Sequence, residues 1–293
     1  MSKPRPARNK VPKRLPNYKL FRVGAPSFTV ACSAGGFKGV FVHGVLAAFE
    51  AAGLRAITYA ASSVSVFPAG AAAVGRIREE GLGQWTGALA VQEATGKPGA
   101  MIEWLTEGLV SRTKAQLFLP GAANLVIVAS QVKNGIVDLR LGRRLLLAAA
   151  RSQGEWAHEH LAPLSFDSYS RSLNPDNFLA VVQASTRLLH IWGEAVNLGG
   201  KLLIDASYTW ACPVLALTGD NHRPIVAIAT DPEPIKLDIF GNPLPDLGVI
   251  AVSPDFPPES VGVEVLKASG PGLEILHDHG FAQGQKAIGQ LIS

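Results

Sequence analysis

Three stretches of this chain combine residue types that do chemistry. The first is Ala34-Gly35-Gly36-Phe37-Lys38-Gly39, a glycine-rich loop just before a helical pattern. Backbone N–H groups left free at a helix start can hold a developing oxyanion. The cationic Lys38 is expected to add positive potential there. A phosphate cradle is the competing use, but the spacing fits neither G-x-x-x-x-G-K-[ST] nor G-x-G-x-x-G.

The second stretch is Ala61-Ser62-Ser63-Val64-Ser65. A nucleophile elbow puts a serine on a sharp turn between strand and helix, and the residues two before and two after it must be small. Ser62 would be flanked by Ala60 and Val64, and Ser65 by Ser63 and Phe67. Ser63 is flanked by Ala61 and Ser65, so sterics choose Ser63. Without the usual glycines the turn is expected to be strained. The competing reading is a serine-rich helix cap.

A base is then required. Lys201–Val214 reads KLLIDASYTWACPV, with Asp205 at the end of an apolar run. A partly desolvated carboxylate can take the serine proton directly. The alternative is a turn aspartate. The histidines are weaker candidates. His222, His277 and His279 follow Asp205 and leave a Ser-His-Asp triad open. His277-Asp278-His279 is a weak metal signal. His43, on the apolar face of the first helix, reads as a packed core residue.

The elements that must position these groups follow from the hydrophobic pattern. Phe28–Cys32 and Ala56–Ala61 read as buried strands, and Gly39–Ala52 and Val66–Glu80 as helices. This β-loop-α-β-turn-α opening predicts parallel strands covered by helices, with sites at the carboxyl ends of the strands. Gly81–Pro175 reads as more helical and less regular, with a helix at Val137–Ala150 whose Arg140, Arg143 and Arg144 form a solvated stripe. Phe178–Gln183 reads as a strand. Leu188–Trp192 is expected to start a hairpin returning through Lys201–Ile204. Ile225–Thr230 and Val249–Ser253 read as further strands, and Asp278–Ile292 as a closing helix.

Composition bounds the rest. The chain has 293 residues, 47% of them hydrophobic and 17% charged, enough for one large α/β domain and unlike a disordered chain. The net charge of +4 is concentrated at one end: Met1–Arg22 holds eight basic residues and no acid, which leaves 19 basic against 23 acidic residues elsewhere. We therefore read residues 1–22 as a proline-rich, basic tail and residues 23–293 as the folded domain. Such a tail suits solvation, or contact with anionic lipid. Basic residues interleaved with aromatics are missing from the body, so no nucleic-acid partner is expected. Two cysteines, Cys32 and Cys212, make no disulfide framework. Apolar runs at Ala56–Gly75 and Ala115–Val132 are interrupted by serines, prolines and glycines and read as no membrane span, and no signal peptide precedes them. A cytoplasmic protein is expected, in peripheral contact with membranes if the tail engages lipid.

SAGGFKGVFVHGVLAAFEAAG, then ITYAASSVSV, then LLIDASYTWACPV resembles the patatin-like phospholipase family, whose signature is a G-G-G-x-[KR]-G loop, a G-x-S-x-G elbow and a later D-G-[GA]. The matching features span roughly Phe28–Pro213. Here Ala34, Ala61, Ser65 and Asp205-Ala206-Ser207 replace the family's glycines with other small residues. The resemblance implies a three-layer α/β/α sandwich with a mainly parallel central sheet. It implies a catalytic Ser63–Asp205 dyad without histidine, and an oxyanion hole at Gly35, Gly36, Phe37 and Lys38. It also implies hydrolysis of lipid or other acyl esters or thioesters, with no metal and no cofactor. Acyl transfer or cyclisation by the same dyad, and a catalytically silent fold that binds lipid or partners, remain as alternatives.

Overall fold

A computed structural model of the chain describes residues 26–133, 137–152, 154–219 and 223–292. The basic stretch at residues 1–22 and His222 lie outside the described residues.

Eight strands form one sheet: β1 Thr29–Cys32, β2 Thr58–Ser62, β3 Asn124–Val132, β4 Leu161–Asp167, β5 Val196–Leu198, β6 Lys201–Ile204, β7 Ile225–Ile228 and β8 Ile250–Val252. Their order is β5-β6-β3-β2-β1-β7-β8, with β4 also paired to β3. The run β3-β2-β1-β7-β8 is parallel, whereas β4, β5 and β6 are added antiparallel. The sheet is thus mixed and mainly parallel.

Twelve helices accompany it among the described residues. These are α1 Gly39–Ala51, α2 Val66–Ala73, α3 Ile77–Glu80, α4 Gly83–Thr95, α5 Ala100–Arg112 and α6 Lys114–Leu117, then α7 Leu139–Ala150, α8 Glu155–His160, α9 Phe178–Ser185, α10 Leu189–Trp192, α11 Ser207–Trp210 and α12 Gly270–Ile292. No helix among the described residues is long and apolar enough to cross a membrane.

The parallel register sorts side chains by face. Val30, Tyr59, Leu125 and Val226 align across four strands, as do Cys32, Ala61, Ile127 and Ile228. These residues join the main core beneath α1, α2, α5, α9 and α12. The intervening set, Ala31, Ala60, Val126 and Ala227, packs against Cys212, Val214 and Leu217 on the opposite face. That row is mostly alanine, so the 3-10 helical turn at Val214–Leu217 seats close to the sheet. Both faces are covered, consistent with a three-layer α/β arrangement. Within the helical layer, α1 and α12 make close backbone contact. A Cβ at Gly44 would collide with the His277 carbonyl, and one at Gly280 with the Phe41 carbonyl.

Several sequence expectations change. The predicted single helix Val66–Glu80 is two, because Gly75 adopts φ 69° between α2 and α3. Phe178–Gln183 is helical, not extended. The Asn174 side chain accepts from the amides of Asp176 and Asn177 at the helix start, and the buried residues Phe178, Val181, Val182 and Ser185 follow helical spacing. Leu189–Trp192 is a helical turn. The hairpin is β5–β6, turned by Gly199 and Gly200 at φ 58° and 80°. The closing helix starts at Gly270, well before Asp278. The middle region holds β3, which pairs with β2, β4 and β6.

Candidate active site

β3 brings the site together. Its whole outer length, Val126–Val132, pairs with β4 along one edge. The other edge is shared by two strands entering from opposite ends. β2 runs parallel to β3 and ends with Ser62 opposite Val128. β6 runs antiparallel and ends with Ile204 opposite Ser130. The residues that follow these two ends, Ser63 and Asp205, therefore meet beside Ala129.

Ser63 occupies a sharp turn at φ 53°, the left-handed region that non-glycine residues avoid. Such a conformation costs of order 1–3 kcal/mol and persists only where surrounding contacts hold it. Here the Ser63 amide donates to Ser185 Oγ at 3.0 Å. The Ser63 hydroxyl donates to Asp205 Oδ2 at 2.7 Å. Its two rivals are occupied elsewhere: Ser62 Oγ donates to the Trp210 carbonyl and Ser65 Oγ to the Ser33 carbonyl. The steric choice of Ser63 from flank size agrees with this placement.

Asp205 is fully buried. Its Oδ1 accepts from the Ser207 amide at 2.8 Å, which leaves Oδ2 aimed at Ser63. The Asp205 main chain is anchored on both sides, its N–H donating to the Arg187 carbonyl and its carbonyl accepting from Ser130 Oγ. Burial pushes the carboxyl up to about 6, against the hydrogen bonds from Ser207 and Ser63 that favour the ionised form.

The glycine loop follows β1. Gly36 has φ 58°, and a Cβ there would overlap the Val265 carbonyl oxygen; at Gly35 a Cβ would run into the Thr230 side chain. Both positions therefore require glycine. The Gly35 and Gly36 amides donate to no acceptor among the described residues, and both glycines line the same cleft as Ser63.

Phe37 and Lys38 depart from expectation. The Phe37 amide donates to the Val265 carbonyl at 3.0 Å and the Lys38 amide to the Gly35 carbonyl at 3.1 Å, so neither is available to an oxyanion. The Lys38 ammonium is also committed, 2.7 Å from Asp231 and paired with Glu259. Burial works against its charge, but the two carboxylates outweigh it and raise its pKa. Lys38 fastens the loop to the segments carrying Asp231 and Glu259.

The cleft measures about 970 Å³. Its apolar lining includes Met101, Ile102, Leu146, Leu188, Val265 and Leu266, and the Val265 carbonyl lies against Gly36 of the glycine loop. Its size suits a small organic ligand.

His43 is a packed core residue, as expected. It is fully buried between the Ile77 carbonyl and Trp85 Nε1–H, and burial, aided by the neighbouring His277, lowers it to about 3. His277 and His279 sit on α12 beside Asp278 and Asp255, and neither lines the cleft. They complete no triad with Ser63. No group of three or more metal-ligating side chains occurs among the described residues.

Sequence reasoning missed Ser130, Ser185, Thr230 and Val265. Each supports a site residue from far along the chain, as Ser185 does Ser63 across 122 positions, and no local spacing marks them. No family model matches the chain, and no curated protein matches it.

Proposed function

We propose that this chain is a serine acyl hydrolase with a patatin-like fold, acting on lipid or other acyl esters or thioesters. One observation carries the reading: a strained, cleft-facing serine hydroxyl donates to a buried, desolvated carboxylate, with two free glycine amides lining the same cleft.

Ser63 Oγ attacks the acyl carbonyl carbon as its proton passes to Asp205 Oδ2. The carbonyl oxygen becomes an oxyanion, held by the amides of Gly35 and Gly36. The tetrahedral centre collapses, the C–O or C–S bond breaks, and the leaving alcohol or thiol takes the proton from Asp205. Water then attacks the acyl-enzyme and gives one proton to Asp205; as the tetrahedral centre collapses, the Ser63 ester C–O bond breaks, Asp205 returns that proton to Ser63 Oγ, and the acid product leaves. Asp205 suits both roles because burial raises its pKa towards neutrality while Ser207 keeps one oxygen aimed at Ser63. The small residues Ala61 and Ser65 meet the steric need that glycines meet in the family's elbow, and both are fully buried.

Hydrolysis of p-nitrophenyl butyrate and octanoate by the wild-type and Ser63→Ala proteins tests this reading. Release of nitrophenol by the wild type and its loss in the variant are expected. Equal rates in the two proteins would refute it.

A further inference from the structure

Helix α7 presents a face that its fold does not use. Leu141, Gly142 and Leu145 are buried inward. On the outward side Leu147 is 56% exposed, and on the flanks of the buried stripe Leu139 is 46% and Leu146 40% exposed. Between these leucines stand the exposed Arg140, Arg143 and Arg144, followed by Arg151, and no acid lies between Leu139 and Arg151. Arg140 and Arg143 form no ion pair among the described residues. Asp138, just before the helix, is engaged in capping it, accepting from the amides of Arg140 and Leu141. A merely solvated helix face carries polar residues throughout. Here leucines and arginines alternate around one surface.

The position of this face matters as much as its composition. Leu146 also lines the cleft that holds Ser63, and so does Val265, exposed at 41%. Two of the residues lining the cleft are thus exposed apolar side chains, and the arginines lie on the same helix as one of them.

We infer that α7 is an interfacial docking helix that seats the cleft mouth on an anionic lipid surface. Leucines enter the boundary between headgroups and acyl chains, while arginine stems extend outward so that their guanidinium groups meet lipid phosphates. An anionic leaflet supplies the complementary charge. Twelve residues of helix span about 18 Å, enough to cover several headgroups. Docking in this way places an acyl lipid at the mouth of the cleft; that consequence rests on the proposed hydrolase reading, whereas the docking does not.

The test uses full-length protein carrying Ser63→Ala, so that vesicles are not consumed. Co-sedimentation is measured with vesicles of phosphatidylcholine alone and of phosphatidylcholine mixed with phosphatidylserine. Binding to the mixed vesicles is expected, weakened about tenfold or more by Arg140→Gln with Arg143→Gln. A similar loss is expected for Leu139→Ser with Leu147→Ser. All four positions are exposed, and unchanged thermal unfolding of each variant confirms that it is folded. Undiminished binding by the leucine variant would overturn the inference and assign the binding to the basic amino-terminal stretch. Equal binding to both vesicle types would overturn the anionic surface, and no binding to either would overturn the inference as a whole. Because binding is read without Ser63, it stands or falls independently of hydrolysis.

Discussion

Ser63 and Asp205 are 142 positions apart in sequence, yet their side chains lie 2.7 Å apart because β2 and β6 end facing one another on one edge of β3. Parallel β2 stops opposite Val128 and antiparallel β6 stops opposite Ser130. Each strand releases its next residue into the gap between them. The pair is thus set by the pairing register of a central strand, and a slip in either strand would separate it.

Ser63→Ala removes the proposed nucleophile. Ester hydrolysis is expected to fall by at least about 10³-fold in kcat, as loss of a nucleophile does in serine hydrolases. Stopped-assay measurement of chromogenic ester turnover, with circular dichroism to verify folding, checks this.

Asp205→Asn keeps the shape and removes the base, and should lower kcat by about 10²–10⁴-fold. Wild-type kcat/KM should rise with pH through an inflection near 6, because the ionised carboxylate is the active form and burial raises its pKa to about 6. A rate that stays flat from pH 7 down to 4.5 would contradict this assignment.

The same shift has a stability consequence. Folding raises this pKa from an ordinary aspartate value, so the folded protein takes up a proton near pH 6, before the unfolded chain does. The carboxylate is therefore destabilising above pH 6, and the penalty is relieved as pH falls from 6 towards 4. The relief amounts to about 3 kcal/mol at most. Denaturant unfolding of the wild type and Asp205→Asn across that window should show a difference that shrinks as pH falls.

Gly36→Ala tests the loop. At φ 58°, with the Val265 carbonyl occupying the Cβ position, the backbone must shift and carry the Gly36 amide with it. Loss of one oxyanion donor costs about 10²–10³-fold in kcat. KM should change far less, which steady-state kinetics on a soluble ester separates.

Lys38→Met distinguishes a tether from an electrostatic catalyst. The ammonium is paired with Asp231 and Glu259, whose side chains are about half exposed and can re-solvate. The expected loss is about 1 kcal/mol of stability, with kcat within tenfold of wild type. A loss of 10³-fold in kcat at unchanged stability would restore Lys38 to the oxyanion site.

Much of this was legible in the sequence where chemistry is local. Small flanks chose Ser63, and the apolar run before Asp205 placed it at a strand end. The roles of Phe37 and Lys38 were not legible, because the partners that occupy them, Val265, Asp231 and Glu259, come from about two hundred residues away. The helix at Phe178–Ser185 was misread because a six-residue apolar run fits a buried strand or a buried helix equally. β3 was overlooked for a related reason: Asn124–Val132 is apolar on both faces, and it follows Pro120 and Gly121, which read as a break. The antiparallel placement of β6, which with β2 creates the gap for the dyad, depends on tertiary pairing alone.

Fluorophosphonate labelling, located by peptide mass spectrometry, tests the Ser63–Asp205 pair most directly. The predicted result is a single adduct on Ser63, absent from Ser63→Ala and formed much more slowly in Asp205→Asn. An unlabelled wild-type protein, or an adduct on Ser62, Ser65 or another serine that persists in Ser63→Ala, would contradict it.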